Sequence, residues 1–259
     1  MKGLPPASKH VQQINRFDLL IFRLCAVFSA VLLLGLLPVA LRRYGAEPGN
    51  ARFFMGFFHV LVWVVLCGGL MARHRQVLCL SLGRWRSHPA LALVLSSLSL
   101  ACLEEAIACL ATNLHGPFGD PTGRVYITAS ANLLDLIFFH SVVVIFPLLL
   151  AWAALLRRYA FSVSRFTLIF GAQGALAEVA FAGMQPALFP TWLLVYSLMV
   201  WIPYRAYFSA FDAQRERIPP GVVQQLAAPI MTQLAGILFT LVFLMISHGL
   251  LKHPLSHYP

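Results

Sequence analysis

The chain has 259 residues, of which 59% are hydrophobic and only 11% charged, and its mean hydropathy is +0.78. Soluble domains carry roughly a quarter of their residues as charges, so this composition excludes a protein for which water is the main solvent. The formal net charge of +10 does not point to nucleic acid, because the basic residues cluster beside apolar runs, as they do in loops facing anionic lipid.

About seven apolar runs follow one another, at 18–41, 53–72, 89–112, 126–156, 166–184, 190–209 and 226–250. Each is near or above the ~20 residues that cross a bilayer as a helix. The expected fold is all-α: a polytopic transmembrane helical bundle over 18–250, with tails at 1–17 and 251–259 and no length left for a separate soluble domain. The polar first tail is followed by an apolar run longer than a signal-peptide core and without a small-residue cleavage site, so that run is read as a retained first span. Arg42-Arg43-Tyr44-Gly45 closes it, and Arg73-His74-Arg75 closes the second. The segment 76–88 mixes apolar and basic residues and is expected as an interfacial turn, or as a stretch lying along the membrane surface. His115-Gly116-Pro117 and Asp120-Pro121 follow the third span. The fourth run, of about 31 residues, is too long for a straight perpendicular helix, and Pro147 within it predicts a kink. Arg157-Arg158 ends it. The fifth run carries Gly171, Gly174, Ala175 and Gly183, small residues that let another helix approach closely. That predicts a central position for it, or a membrane-protein partner along 166–184. Gln185-Pro186 breaks the fifth run, and Ile218-Pro219-Pro220-Gly221 precedes the seventh.

Lys and Arg fall unevenly on alternate sides. One side collects Lys2, Lys9, Arg16, Arg73, Arg75, Arg84, Arg86, Arg157, Arg158, Arg165, Arg205, Arg215 and Arg217; the other has Arg42, Arg43, Arg52, Arg124 and Lys252, about 13 against 5. By the positive-inside rule the first set is cytoplasmic, which puts the N-terminus inside and the C-terminus outside, in a membrane that fits a bacterial or archaeal plasma membrane. Arg16–Phe22 and Arg165–Phe170 echo one another at the start of spans one and five, a pattern that would suit two three-helix units joined by span four. Five cysteines without CxxC spacing indicate neither a zinc ribbon nor a disulfide framework. The tryptophans mostly sit toward span ends, as an aromatic belt would place them.

Four of the nine carboxylates, Glu104, Glu105, Asp135 and Glu178, fall well within spans, where an ionisable group normally faces the protein interior and has a partner or a task. Counting at about 1.5 Å per residue along each span puts Glu104, Glu105, Asn132, Asp135, Glu178 and His59 at one level, about 10 Å below the extracytoplasmic surface, with His140 deeper. Asn132 and Asp135 share a helix face, as do Glu178 and Gln185, whereas Asp135 and His140 lie about 140° apart on an ideal helix. Glu104 and Glu105 are about 100° apart, which suggests that one of them faces the centre. Two carboxyls sharing a dry site cannot both ionise cheaply, so one is expected to keep its proton. The candidate catalytic residues are Glu104, Glu105, His140 and Glu178; the candidate substrate- or ion-binding residues are Asn132, Asp135, Gln185 and His59.

Three functions suit such a layer. The first is an intramembrane hydrolase. Glu104-Glu105-Ala106-Ile107-Ala108-Cys109, followed by Leu136 and His140, resembles the Glu-Glu-x-x-x-Arg and Phe-x-x-x-His motifs of the CAAX-protease and bacteriocin-processing family. Cys109 stands in place of the arginine and Leu136 in place of the phenylalanine, and the resemblance covers 104–140. It implies a glutamate that activates water and an imidazole, His140, that orients it or stabilises the oxyanion. The second is a proton- or cation-coupled transporter or channel for a small polar solute. The third is a non-catalytic subunit of a membrane complex, with the polar groups hydrogen-bonding between helices to fix packing. No cofactor is expected. A divalent metal or haem on His59, His140 and the carboxylates is the remaining variant, without the Glu-x-x-His spacing of di-iron sites. No Walker loop, dinucleotide fingerprint or nucleic-acid module appears.

Overall fold

Hydrocarbon offers no partner to a backbone N–H or C=O, so a chain this apolar must pair those groups within its own segments, and it does so as helices. The computed structural model describes residues 16–85, 87–181, 184–214 and 217–250; the tails 1–15 and 251–259, with Arg86, Gly183 and Arg215, lie outside them. The helices are α1 (Arg16–Arg42), α2 (Pro48–Val60), α3 (Gly68–Arg73), α4 (Arg75–Leu82), α5 (Pro89–Asn113), α6 (Leu133–Phe139), α7 (Ser141–Leu156), α8 (Val163–Phe181), α9 (Phe189–Gln214) and α10 (Val222–Leu244). A π-helical stretch, Leu61–Cys67, runs α2 into α3, and a second, Met245–Leu250, extends α10. Six helical stretches among the described residues are long and apolar enough to cross a membrane: Arg16–Arg42, Gly49–Arg73, Pro89–Asn113, Leu133–Leu156, Pro186–Asp212 and Val222–Ser247. The expected fifth run forms α8, which is less apolar because Arg165, Gln173 and Glu178 lie in it.

Three local expectations change. The first part of segment 76–88 is helical and not a turn: α4, ending at Leu82, packs Leu78, Cys79 and Leu82 against the core and leaves Val77 and Leu80 exposed. The long fourth run begins as irregular chain, becomes helical only at Leu133, and breaks at His140, whose φ of −130° and ψ of −115° are not helical; Pro147 sits inside α7. The helix nearest the middle is α9, which packs on α8, α5, α4 and α1.

Small residues explain the tightest of these contacts. A Cβ on Gly171 would lie 2.5 Å from the Leu193 carbonyl oxygen, and one on Gly174 would lie 2.2 Å from Cγ of Tyr196, so only glycine admits α9 at this distance. The core around α9 is aromatic. Trp152 meets Phe166 edge-on at 5.0 Å between ring centroids, and Phe166 meets Tyr204 at 4.6 Å. Trp63 and Trp152 are fully buried, and each indole N–H has a partner: Trp63 donates to the Val195 carbonyl at 3.0 Å and Trp152 to Gln173 Oε1 at 2.9 Å. Gln173 completes its amide by donating to the Pro229 carbonyl at 2.9 Å and the Thr232 hydroxyl at 3.0 Å, tying α7, α8 and α10 together at mid-bundle.

The two ends differ. At the basic end, the Arg165 guanidinium lies 3.1 Å from Asp18, which also accepts from Ser164, so α1 is pinned to α8. Arg217 there donates to Asp212 at 2.6 and 2.8 Å and to the Leu156 carbonyl at 3.2 Å, and its guanidinium lies 4.6 Å from the centre of the Phe208 ring. Ile218, next in sequence, forms a parallel bridge with Tyr159. At the opposite end, residues 114–132 form an irregular cap. Its hub is Asp120, which accepts from the Thr122 hydroxyl at 2.6 Å and the amides of Val125 and Thr122, while the Tyr44 hydroxyl donates to the Pro117 carbonyl at 2.5 Å.

Candidate functional site

The acids converge under the cap. Glu104 and Glu105, on α5, are 4% and 8% exposed, so both are buried; their offset of about 100° serves two different neighbours rather than turning one of them outward. Glu104 faces α2, where its Oε1 lies 2.8 Å from Nε2 of His59, itself 1% exposed. The oxygen lies off the N–H direction, so this is a short electrostatic contact and not a linear hydrogen bond. Glu105 faces α7, with the Ser141 side chain near its carboxyl. Glu178, from α8, accepts a short hydrogen bond from the Tyr196 hydroxyl and lies within electrostatic reach of Glu104, Glu105 and His59. Trp192 covers His59 on one side and Tyr196 on the other, with ring centroids 5.8 and 6.1 Å away.

Local structure positions each group. His59 is the last but one residue of α2, directly before the π-helical stretch; such a stretch changes the direction in which neighbouring side chains point and recurs at functional sites. Gly174 lets the Tyr196 ring lie across the α8 backbone, so its hydroxyl reaches Glu178 one turn further on.

Asp135 and His140 lie just ahead of Ser141 in the chain, and Asn132 and Gln185 lie at helix ends. Asp135 and His140 pair with each other, His140 Nε2 lying 3.1 Å from Asp135 Oδ2, because the helix break between α6 and α7 folds back two positions that a straight helix would hold about 140° apart. Asn132 is exposed and caps α6, accepting from the Leu134 amide at 3.0 Å. Gln185 is also exposed. It does not share a helix face with Glu178, because α8 ends at Phe181 and Pro186 holds the preceding residue in an extended conformation, φ −62° and ψ 126°. Ser141, Trp192 and Tyr196 were not among the expected site residues. Tyr196 lies at the same depth as the acids when residues are counted from the span ends, so depth counting applied to hydroxyl groups would have found it, whereas Ser141, next to His140, counts as deeper.

Chemically, the arrangement offers three carboxyls, one imidazole, one phenol and one aliphatic hydroxyl in a water-poor setting, enough to take up, hold and pass protons. Among the described residues no three His, Cys, Asp or Glu side chains come together as a set that would hold a metal ion. Comparison with family models, with curated proteins and with solved structures finds no match to this chain.

Proposed function

We propose that this chain is an intramembrane hydrolase with seven spans, its basic end in the cytoplasm and its site in the extracytoplasmic half of the membrane. The observation that carries the reading is the buried Glu104–Glu105 pair with a different polar partner on each member, His59 on one and Ser141 on the other. A carboxyl pair in a dry site holds one proton between two groups, which supplies a base and an acid at once. The ionised carboxylate takes a proton from water as the water oxygen adds to a carbonyl carbon. The protonated carboxyl then gives its proton to the leaving group as the old bond breaks. His59 takes the place that the motif resemblance gives to His140, as the imidazole beside the developing oxyanion. α8 is counted as the seventh span because 19 residues of helix reach about 28 Å, close to the hydrocarbon thickness.

Hydrolysis can be sought without knowing the substrate. The purified protein in liposomes is incubated with membrane lipid and peptide extracts in oxygen-18 water, and new labelled carboxyl groups are measured by mass spectrometry. Wild type incorporates label, and Glu105→Gln lowers incorporation by about 100-fold or more. Equal incorporation by wild type, Glu104→Gln and Glu105→Gln would remove the hydrolase reading.

A second reading, proton-coupled transport, is favoured by the helix break at His140 and the π-helical stretch beside His59, since transporters build mid-membrane sites from interrupted helices. It predicts solute-dependent proton movement across the liposome membrane that Glu178→Gln abolishes.

A further inference from the structure

The apolar outer face of α1 is interrupted by a charge. Arg23 lies seven residues beyond Arg16, about 10 Å further into the membrane-length helix by the helical rise. It is exposed, and so are Arg16, Leu20, Val27, Ala30 and Leu34, which all fall within about 60° of it around the helix. Among the described residues neither Arg16 nor Arg23 forms an ion pair or a side-chain hydrogen bond. The two described acids at the basic end are already engaged, Asp18 by Arg165 and Asp212 by Arg217, and the tail 1–15 contains no Asp or Glu. Asp18 is in any case fully buried, about 140° round α1 from Arg23.

A guanidinium left facing hydrocarbon is strongly unfavourable, and the ordinary remedy is for its long stem to carry the charge to the headgroups. Helix geometry sets the direction, because Cα–Cβ bonds tilt toward the N-terminus and so start the Arg23 stem back toward Arg16. Two cations on one line, one at the membrane surface and one leaning toward it, bracket a position at headgroup level. Arginine suits the several oxygens of a phosphate there. A carboxylate on a neighbouring membrane helix fits less well, since it would have to be held in hydrocarbon to meet Arg23 and would leave Arg16 unpaired. A second copy of this chain fits least, because a symmetric contact through this face sets Arg23 against Arg23. Further into the membrane, exposed Val27, Ala30 and Leu34 continue the line as an apolar bed, with small Ala30 as its low point. We propose that this face of α1 binds an anionic phospholipid of the leaflet at the basic end. Its phosphate lies between Arg16 and Arg23, and one acyl chain lies along Val27, Ala30 and Leu34. The site is independent of the hydrolase reading.

The test uses the full-length protein in phosphatidylcholine liposomes that contain a trace of photoreactive lipid. That lipid is either a phosphatidylglycerol or a phosphatidylcholine with the same diazirine-bearing acyl chain, and crosslinked residues are located by mass spectrometry. Crosslinks to residues 24–34 should be at least about tenfold more abundant from phosphatidylglycerol. Arg16→Gln and Arg23→Gln should each lower that ratio about fivefold, the worth of one arginine at a membrane surface, and the double variant should bring it close to one. Both positions are exposed, so the melting temperature should not change, and Arg42→Gln, at the other end of α1, should keep the wild-type ratio. Equal yields from the two lipids in wild type, or a preference that survives the double variant, would overturn the site. Loss of the crosslinks on adding millimolar inorganic phosphate would overturn the lipid as occupant in favour of the free anion. In native membranes, a polypeptide crosslinked to α1 in wild type and absent in Arg23→Gln would replace the lipid with a helix bearing a carboxylate.

Discussion

Glu178 and Tyr196 show how much of this site depends on single atoms. Tyr196→Phe removes the one hydroxyl donated to Glu178 and keeps the ring on Gly174, so the fold should survive while Glu178 loses its fixed orientation. The expected outcome is an unchanged melting temperature with function reduced by about 10-fold or more, the ordinary scale for a charge-assisted hydrogen bond. Glu178→Gln and Glu105→Gln should abolish function with normal expression, and normal function in both variants would sink the idea of working carboxyls. The acids and His59 were legible in the sequence because hydrocarbon makes an ionisable residue conspicuous and helical rise gives its depth. Their pairing was not, since which acid meets which neighbour depends on helix rotation. Asp120, in the cap, belongs to another regime. The Thr122 hydroxyl, with help from the amides of Val125, Thr122 and Arg124, holds its carboxyl below the usual aspartate range. A depressed folded value means that its contribution to the cap is present above the unfolded value of about 4 and is lost as pH falls through the folded one. Hydrogen exchange of the Thr122 and Val125 amides, corrected for intrinsic rate, should show protection at about pH 6 that declines by about pH 3, and Asp120→Asn should lower it at both.

Among the helices, the α8–α9 seam carries the sharpest prediction. Gly171→Ala drives a methyl into the Leu193 carbonyl, which cannot move without parting the helices, and into the Ser197 hydroxyl, so a loss of about 2–3 kcal/mol is expected. Gly68→Ala meets only the tip of Leu198, 3.1 Å away, which can rotate, so its cost should be well under half as large. Thermal unfolding of the two variants in one detergent compares them directly. Small residues in a span announced a close helix contact in the sequence, but not that the contact lies within this chain. The apolar runs located six membrane-length helices, and their boundaries suffered where tertiary contacts replaced regular helix. Nothing in the pattern of 126–156 separates the capped start at Asn132 from the break at His140, because apolar side chains continue through both.

At the scale of the molecule, the Lys and Arg asymmetry predicts seven alternating spans with the N-terminus inside, and a C-terminal alkaline phosphatase fusion should be active only if that end lies outside. The basic end is held by Arg217. Arg217→Met leaves Asp212 and the Leu156 and Phe208 carbonyls without their donor, for a loss on the order of 2 kcal/mol; half of the pair faces solvent, which keeps the value below that of a fully buried one. The position of that clasp bears on motion. Arg217 and Ile218 join the connection between α9 and α10 to the end of α7 and to the segment that leads into α8, so the four helices are riveted at one end. Such a bundle flexes like tongs rather than like an hourglass. Its pivot is at the basic end and its jaws are at the capped end, so spreading them opens nothing at the basic end. Small changes at the rivet, about 22 Å from Glu178 along α8, would therefore alter the spacing of the helices around Glu178 more than its chemistry.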